Sequence, residues 1–153
     1  MSKLDDRLAE LGLEIPAVTK PVAAYVPAVV TGNLVYTSGQ LPFVGGVMAH
    51  TGKVGADVDA EAAKDLARVC ALNALAAAAS AIGSLDRVTR VVKVVGFVAS
   101  APSFTGQSGV VNGASELLGD IFGDAGFHAR SSIGVAVLPL DAAVEVELIL
   151  EFA

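Results

Sequence analysis

The sequence predicts a single α+β domain in which a mixed β-sheet carries helices on one face. The chain has 153 residues and is 54% hydrophobic, which supplies the core of one domain. Runs rich in β-branched residues alternate with two helical segments, a pattern typical of a layered sheet and helices. Only 5% of the residues are aromatic and none is Trp, so Ala, Val and Leu form most of the apolar surface. That apolar excess predicts that an oligomer covers part of the surface.

The chain begins with a predicted short helix and then a β-hairpin. Leu4, Leu8 and Leu11 recur at helical spacing behind the N-cap candidate Ser2. Residues 1–20 are therefore predicted to be an N-terminal helix and linker, and residues 21–153 the main domain. In "AYVPAVVTGNLVYTSGQLPF" two β-rich runs flank a Gly-Asn pair, which favours a tight hairpin turn.

The central elements follow from spacing and composition. A short β run is predicted near Val47 to His50, and a long helix from Asp59 to Ile82, where apolar residues recur every three or four positions. "RVTRVVKVVGFVAS" is too β-branched for a helix and is predicted to be a strand. A second helix is predicted from Val110 to Phe122.

The closing segment, "ARSSIGVAVLPLDAAVEVELILEFA", is predicted to be a hairpin that turns at Leu140-Asp141. Because side chains alternate between faces, Val144, Val146, Leu148 and Leu150 share the apolar face of its second strand. Matching the apolar faces predicts a register with these pairs: Arg130 opposite Glu151, Gly134 opposite Glu147 and Ala136 opposite Glu145.

Arg130 is the one Lys or Arg between Val94 and Ala153, a stretch that contains seven acidic residues. One interpretation is a cross-strand ion pair on a solvated sheet face. The other is a ligand site, because the Ser, Gly and Ala beside Arg130 leave room. A guanidinium binds a carboxylate through two hydrogen bonds, while a nearby acid can transfer protons.

Charge and composition exclude several classes of partner. A net charge of −6 argues against nucleic acid. Residues 69–85 are uncharged but Ala-rich and interrupted by polar residues, so no membrane span is predicted. The acidic N-terminus lacks the pattern of a signal peptide and the single Cys70 excludes an internal disulfide, which predicts a cytoplasmic protein.

The remaining polar residues have ordinary structural interpretations. His50 and His128 are far apart and lack a Cys partner, so no metal site is predicted. His128 is predicted to lie at the surface where a strand begins, with ligand contact as the alternative. Cys70 is predicted to be an inert core thiol. Asn73 and Asn112 are each predicted to bond a neighbouring loop.

Three stretches resemble the RidA (YjgF-like) family of reactive-intermediate deaminases. The C-terminal signature of that family is matched by "ARSSIGVAVLPLDAAVEVE", and its N-terminal block by "YVPAVVTGNLVYTSGQLP". "GKVGADVDAEA" before the long helix also fits. The resemblance spans about residues 21–153.

The resemblance implies a chorismate-mutase-like α+β fold, with two helices on one face of the sheet, and a homotrimer with active sites between subunits. It also implies hydrolysis of 2-imino acids to 2-oxo acids and ammonia, without metal or cofactor. In that function Arg130 would bind the substrate carboxylate and Glu145 would position or activate water. The same resemblance places five further residues in the substrate site: Tyr25, Ser38, Gly39, Gln40 and Ser132.

Two departures from the family pattern indicate a divergent subgroup. Pro102 stands where well-studied deaminases have an Asn, and Ser132 where they commonly have a Cys. Pro lacks both a polar side chain and an N–H donor. The alternative function is therefore a non-catalytic trimer of the same fold that binds a small carboxylate or a protein partner. Ribonuclease activity, historically attributed to family members, is disfavoured by the acidic chain.

Overall fold

A computed structural model describes residues 2–21 and 23–153. Met1 of the predicted N-terminal segment (1–20) and Val22 of the predicted main domain (21–153) lie outside the described residues. It contains three α-helices and seven β-strands, joined by loops and short 3₁₀ turns. In chain order the elements are α1 (Lys3–Glu10), β1 (Ala28–Thr31), β2 (Leu34–Thr37), β3 (Phe43–Val44), β4 (Val47–Met48), α2 (Ala60–Ile82), β5 (Val88–Ala99), α3 (Gln107–Phe122), β6 (Ala129–Val135) and β7 (Val144–Phe152).

Five strands form one sheet in the order β1-β2-β7-β5-β6. Strands β5 and β6 are parallel, and the other neighbours are antiparallel, which confirms the predicted mixed sheet. Strands β3 and β4 form a separate two-stranded ribbon. The predicted hairpin at Gly32 is also confirmed, since Gly32 adopts a left-handed φ of 57° between β1 and β2.

The predicted closing hairpin is wrong. Strands β6 and β7 do not pair with each other, because β5 lies between them. Arg130 pairs with Val94 of β5, and Glu151 pairs with Leu34 on one side and Arg90 on the other. The register pairs Arg130–Glu151, Gly134–Glu147 and Ala136–Glu145 are therefore all absent.

The physical reason lies in two connections. The β5-α3-β6 crossover returns the chain parallel to β5, as a helical connection requires. The loop through Pro139–Asp141 then carries the chain to the opposite edge of β5. The predicted alternation in β7 is nevertheless confirmed, since its even-numbered residues from Val144 to Leu150 are all buried.

Helices α2 and α3 cover one face of this sheet. Asp59 caps α2 by accepting a hydrogen bond from the Ala62 N–H (2.8 Å), and Gly83 ends it with a φ of 89°. A Cβ on Gly113 of α3 would lie 2.0 Å from the Lys64 carbonyl oxygen, so only glycine permits this approach of the two helices. Although α2 is long and apolar enough to cross a membrane, 61% of its apolar window is buried inside the fold. It is the core helix of this domain.

Helix α1 docks on α3. Ser2 and Asp5 form a reciprocal capping box at its start. Its Leu8 is buried in the same core as the sheet residues, and Arg7 Nε donates to the Asp120 carbonyl at 2.7 Å. Residues 11–21 then lead from this docked helix toward the sheet.

The sheet face opposite the helices is open in the described chain and largely apolar. Val29, Tyr36 and Ile133 remain 54%, 42% and 43% exposed on it. Glu145 and Glu147 lie on this same face, beside Phe97 and Val95 of β5. A patch of this kind on a small domain is typical of an interaction surface.

Candidate functional site

A cavity of about 300 Å³ lies where the segment after α1 passes the start of β7. Four of the residues predicted for the site line it: Tyr25, Gly39, Gln40 and Glu145. The rest of the lining comes mainly from the N-terminal segment, the residues after β2 and the turn before β7, namely Thr19, Lys20, Pro21, Ala23, Pro27, Leu41, Phe43, Pro139 and Leu140.

Glu145 lies directly against Gly39. A Cβ built on Gly39 would lie 1.9 Å from Glu145 Oε1, so the absence of a side chain at Gly39 makes room for the carboxylate. Over residues 2–21 and 23–153, no side chain or backbone N–H donates a hydrogen bond to the side-chain carboxylate of Glu145. The carboxylate is thus available to a ligand or water.

Burial raises the pKa of Glu145 above its ordinary value, and the nearby charge of Glu147 raises it further. An acid that is harder to ionise is also a stronger base once ionised. This shift brings the pKa of Glu145 closer to neutral pH, where a proton-transfer group is most effective.

Ser38 and Gln40 hold this part of the cavity wall in place. Ser38 Oγ donates to the Val26 carbonyl at 2.6 Å, which ties the N-terminal segment to the end of β2. The backbone of Gln40 exchanges two hydrogen bonds with Val146 of β7, at 2.8 and 3.1 Å. Ser38 itself does not line the cavity, so its hydroxyl acts here through the backbone that it anchors.

The turn before β7 is strained. Leu140 and Asp141 adopt left-handed φ angles of 58° and 57°, which non-glycine residues rarely occupy. Asp141 is held by a salt bridge to Lys53, and its carbonyl accepts the Gly52 N–H. These contacts maintain the turn that places Pro139 and Leu140 on the cavity wall.

Two buried groups behave as predicted. Asn73 of α2 donates to the carbonyls of Leu41 and Phe43, at 3.0 Å each, and so fixes two residues of the cavity wall. Cys70 is fully buried, and burial raises the pKa of its thiol well above the usual range, with the Glu145 charge adding to the shift. Cys70 is therefore a core residue without nucleophilic character.

Arg130 does not line this cavity. It lies in a separate surface depression of about 440 Å³ between α3 and β6. Its Nη1 donates to Asn112 Oδ1 at 2.7 Å and to Ser115 Oγ at 3.2 Å, and its Nη2 donates to the Ser108 carbonyl at 3.3 Å. None of the acids in the described parts of the chain forms a salt bridge with it. All three acceptors are neutral, so the guanidinium charge is left for a further anion.

In the part of the chain that the structure describes, two N–H groups of Arg130 have no acceptor and are available to that anion. A guanidinium carries five N–H donors, and the three recorded bonds leave the Nε–H and one Nη2 N–H. These two groups are on adjacent nitrogens and can donate to both oxygens of one carboxylate. Phe127, 77% exposed, forms part of the wall beside them.

Within one chain, Arg130 and Glu145 lie on opposite faces of the sheet. Arg130 is paired with Val94, whose side chain is buried under the helices, and it contacts α3. Glu145 is paired with Phe97 on the open face. The fold of a single chain therefore does not bring the two predicted catalytic residues together.

Three further residues singled out in the sequence, Gly134, Ser132 and Pro102, line neither the cavity nor the depression. A Cβ on Gly134 would lie 2.8 Å from Gln107 Nε2, so glycine makes room for the start of α3 rather than for a ligand. Ser132 has a buried hydroxyl oxygen with no hydrogen-bond partner in the described chain. Pro102 is exposed in the loop after β5 and lines neither the cavity nor the depression.

Sequence reasoning missed the residues that hold Arg130. Asn112 was expected to bond a loop, but its side chain accepts from Arg130 instead. Ser115 contacts both Arg130 and His128. A signal was present, because Asn112 and Ser115 are three residues apart and so share one face of a helix. Only the packing of that face beside β6 gives the two side chains a role.

A family profile described as "YjgF/chorismate mutase-like, putative endoribonuclease" matches residues 5–152. The chain belongs to this family. The match confirms the predicted family and its α+β fold.

Individual relatives of this YjgF-like chain agree over nearly its whole length. Protein TCP17 of Trypanosoma cruzi is 48% identical over 147 residues, covering 94% of this chain and 91% of that protein. The crystal structure of Agrobacterium tumefaciens Atu1372 is 46% identical with a TM-score of 0.91, covering 98% of this chain and 92% of that chain. E. coli TdcF with bound serine is 27% identical with a TM-score of 0.61, covering 89% and 94%.

Proposed function

We propose that this protein hydrolyses 2-imino acids to 2-oxo acids and ammonia, at clefts formed between the subunits of a homotrimer in the cytoplasm. The observation that carries the proposal is the separation of Arg130 and Glu145 onto opposite sheet faces. Among the described residues, Arg130 has no acidic partner and the half-buried Glu145 carboxylate has no donor. A second copy of the chain is needed to place them across one substrate.

Arg130 is the proposed carboxylate-binding group. Its two free N–H groups match the two oxygens of a 2-imino acid carboxylate. Because its other donors are held by neutral acceptors of α3, binding an anion brings the first compensating negative charge. The wall formed by Phe127 would shield that ion pair from water.

Glu145 is the proposed proton-transfer group. The ionised carboxylate removes a proton from water while the water oxygen bonds to C2 and the electron pair of the C=N bond moves to nitrogen. The same carboxyl then returns the proton to nitrogen. The Glu145 carboxylate next takes the hydroxyl proton and passes it to the nitrogen, while the C=O bond forms and the C–N bond breaks, which releases ammonia and leaves the 2-oxo acid. Free imines already hydrolyse in water, so positioning and proton transfer supply what the reaction needs.

The open sheet face supports assembly of like subunits. Its exposed apolar residues, Val29, Tyr36 and Ile133, would be covered by the same face of other copies. Glu145 lies on that face and Arg130 lies on the edge strand β6, so an assembly through the face can bring one chain's edge beside another chain's cavity. This arrangement would place the site at the contact between subunits.

A related structure supports the class of ligand. E. coli TdcF, a 27% identical relative, contains bound serine, and serine carries a carboxylate and a nitrogen on C2, as a 2-imino acid does. A coupled assay tests the activity: an amino-acid oxidase or lyase generates the imine, and ammonia release is timed with and without the protein. We expect faster release with at least one substrate. No acceleration with any imine would refute the enzyme and leave the non-catalytic binding trimer, the alternative suggested by the Pro at position 102 in place of the family's Asn.

The endoribonuclease in the family description is a weaker candidate for this chain. The net charge is −6, and the one His beside Arg130 is engaged on both ring nitrogens, with Ser115 and the Gly126 carbonyl. Neither feature suits a phosphodiester substrate. RNA cleavage that survives repurification and disappears in Arg130→Ala would overturn this assessment.

A further inference from the structure

A chain of three side chains, none of them acidic, holds the Arg130 guanidinium: Asn112 and Ser115 contact it directly, and His128 contacts Ser115. We propose that these three are positioning residues, which fix the rotamer of Arg130 and preserve its charge for a carboxylate. The inference rests on the proposed function, since it assigns how the carboxylate-binding residue of that site is prepared. We call the three side chains the Arg130 cradle.

The direction of each hydrogen bond in the cradle follows from donor chemistry. His128 Nδ1 lies 2.6 Å from the Gly126 carbonyl, which can only accept, so Nδ1 carries the hydrogen. In the neutral ring Nε2 must then accept, and its partner at 2.8 Å is the Ser115 hydroxyl. With its hydrogen directed at His128, Ser115 Oγ presents its lone pairs to Arg130 Nη1, at 3.2 Å.

The absence of an acid from the cradle is what makes it suitable for binding rather than for structure alone. A carboxylate at position 112 would hold the guanidinium at least as firmly, because charge-assisted hydrogen bonds are stronger. It would also neutralise Arg130 and compete with an incoming anion. Asn112 supplies the same geometry through its Oδ1 without the charge. The nearby acid Glu116 is engaged by Lys64 at 3.1 Å.

The first test measures binding of 2-oxobutyrate by calorimetry. Asn112→Asp should weaken binding by at least about tenfold, because the new charge pairs with Arg130, while the melting temperature stays the same or rises. Asn33→Asp is the matched control, since it adds the same charge at the exposed turn between β1 and β2. Equal affinity of Asn112→Asp and wild type would overturn the proposal.

The second test asks whether His128 acts through Ser115. Ser115→Ala and His128→Phe should each weaken binding, by about tenfold and about threefold to tenfold. The double variant should be no weaker than Ser115→Ala, and Ser115→Thr, which keeps the hydroxyl, should restore binding. Additive losses in the double variant would overturn the role of His128.

A third readout separates failure of this inference from failure of the proposed function. NMR of the ligand-free protein reports rotation about the Arg130 Nε–Cζ bond and, at alkaline pH, the His128 tautomer. We expect slow rotation in wild type, faster rotation in Ser115→Ala, and hydrogen on Nδ1. If wild type binds no 2-oxo acid, the proposed function fails, and these spectra still decide the cradle. Unchanged rotation or hydrogen on Nε2 would overturn it.

Discussion

The Glu145 carboxylate occupies the space where a side chain at position 39 would stand, with Oε1 only 1.9 Å from a Cβ built on Gly39. Gly39 has no positive φ, so substitution strains no backbone torsion and acts through the carboxylate alone. Gly39→Ala should therefore displace Glu145 and lower kcat for imine hydrolysis by about tenfold to hundredfold, since an ångström of misplacement has that effect. KM should change little, because the carboxylate of the substrate is bound by Arg130 and not by Glu145.

The control for this prediction is a double-mutant cycle. In a Glu145→Ala background the new methyl group meets no carboxylate, so Gly39→Ala should have little further effect on the rate. If the two substitutions instead multiply their losses, Gly39 contributes independently of Glu145. Steady-state kinetics on the four proteins measures both terms.

Arg130→Lys separates charge from the shape of the guanidinium. Lys keeps the charge but loses the two-pronged carboxylate contact, which should cost about 1.5–3 kcal/mol of binding. That loss corresponds to a roughly tenfold to hundredfold rise in the Kd for a 2-oxo acid, with the melting temperature nearly unchanged. Arg90→Lys, on the exposed part of β5, is the matched control. Unchanged affinity, or a large fall in melting temperature, would make Arg130 a structural residue.

Local sequence signals predicted the elements well, and non-local pairing was the part they could not predict. Asp59 and Gly83 mark the ends of α2 because capping depends on neighbours within one turn. The order of strands depends on which strand lies between β6 and β7. The alternation of apolar and polar residues within a strand is the same whichever strand lies beside it, so alternation does not reveal the order. A hairpin was therefore inferred where β5 intervenes.

The same limit applies to the site. Tyr25, Gly39, Gln40 and Glu145 were predicted and do meet at one cavity. Arg130 was expected on the same face as Glu145 and instead lies on the other. Its hydrogen bonds to α3 form because the helix packs on the sheet, and the residue pattern within a single strand does not reveal which helix lies beside it.

The raised pKa of Glu145 has a consequence for the pH profile. Glu145 is a base only when ionised, so kcat should fall as pH drops through its pKa. Because burial raises this pKa, the acidic limb should lie above the ordinary glutamate value of about 4.3. Glu145→Gln should abolish the limb and lower the rate by about a hundredfold or more. Rates corrected for spontaneous hydrolysis at each pH provide the test; a limb that persists in Glu145→Gln belongs to another group.

The stability of the folded protein should vary with pH in the direction opposite to kcat: it should rise as Glu145 is protonated. With a pKa higher in the folded than in the unfolded chain, the folded protein binds the proton more tightly, so protonation stabilises it as pH falls. Glu145→Gln should therefore melt higher than wild type at neutral pH, and the difference should shrink toward the ordinary glutamate pKa. Calorimetric melting over this range measures it, and a variant that melts lower at neutral pH would mean that ionised Glu145 is stabilised in the native assembly.

The open sheet face predicts how the subunits associate. Ile133→Asp places a charge in that apolar face and should convert the proposed trimer to monomers with loss of activity, because burying an unpaired carboxylate is costly. Val47→Asp in the β3–β4 ribbon is equally exposed to solvent or more so and should leave the trimer intact. Light scattering reports the mass of each protein. A trimer that tolerates Ile133→Asp would mean that another surface forms the contact.

Mixing two inactive variants tests the central claim that each site takes Arg130 from one chain and Glu145 from another. Arg130→Ala and Glu145→Ala are each expected to be inactive alone. When equal amounts are unfolded together and refolded into mixed trimers, about a quarter of the sites should pair an intact Arg130 with an intact Glu145 from a neighbour. The account predicts recovery of about a quarter of the wild-type rate; mixed trimers with no more activity than either variant alone would contradict it.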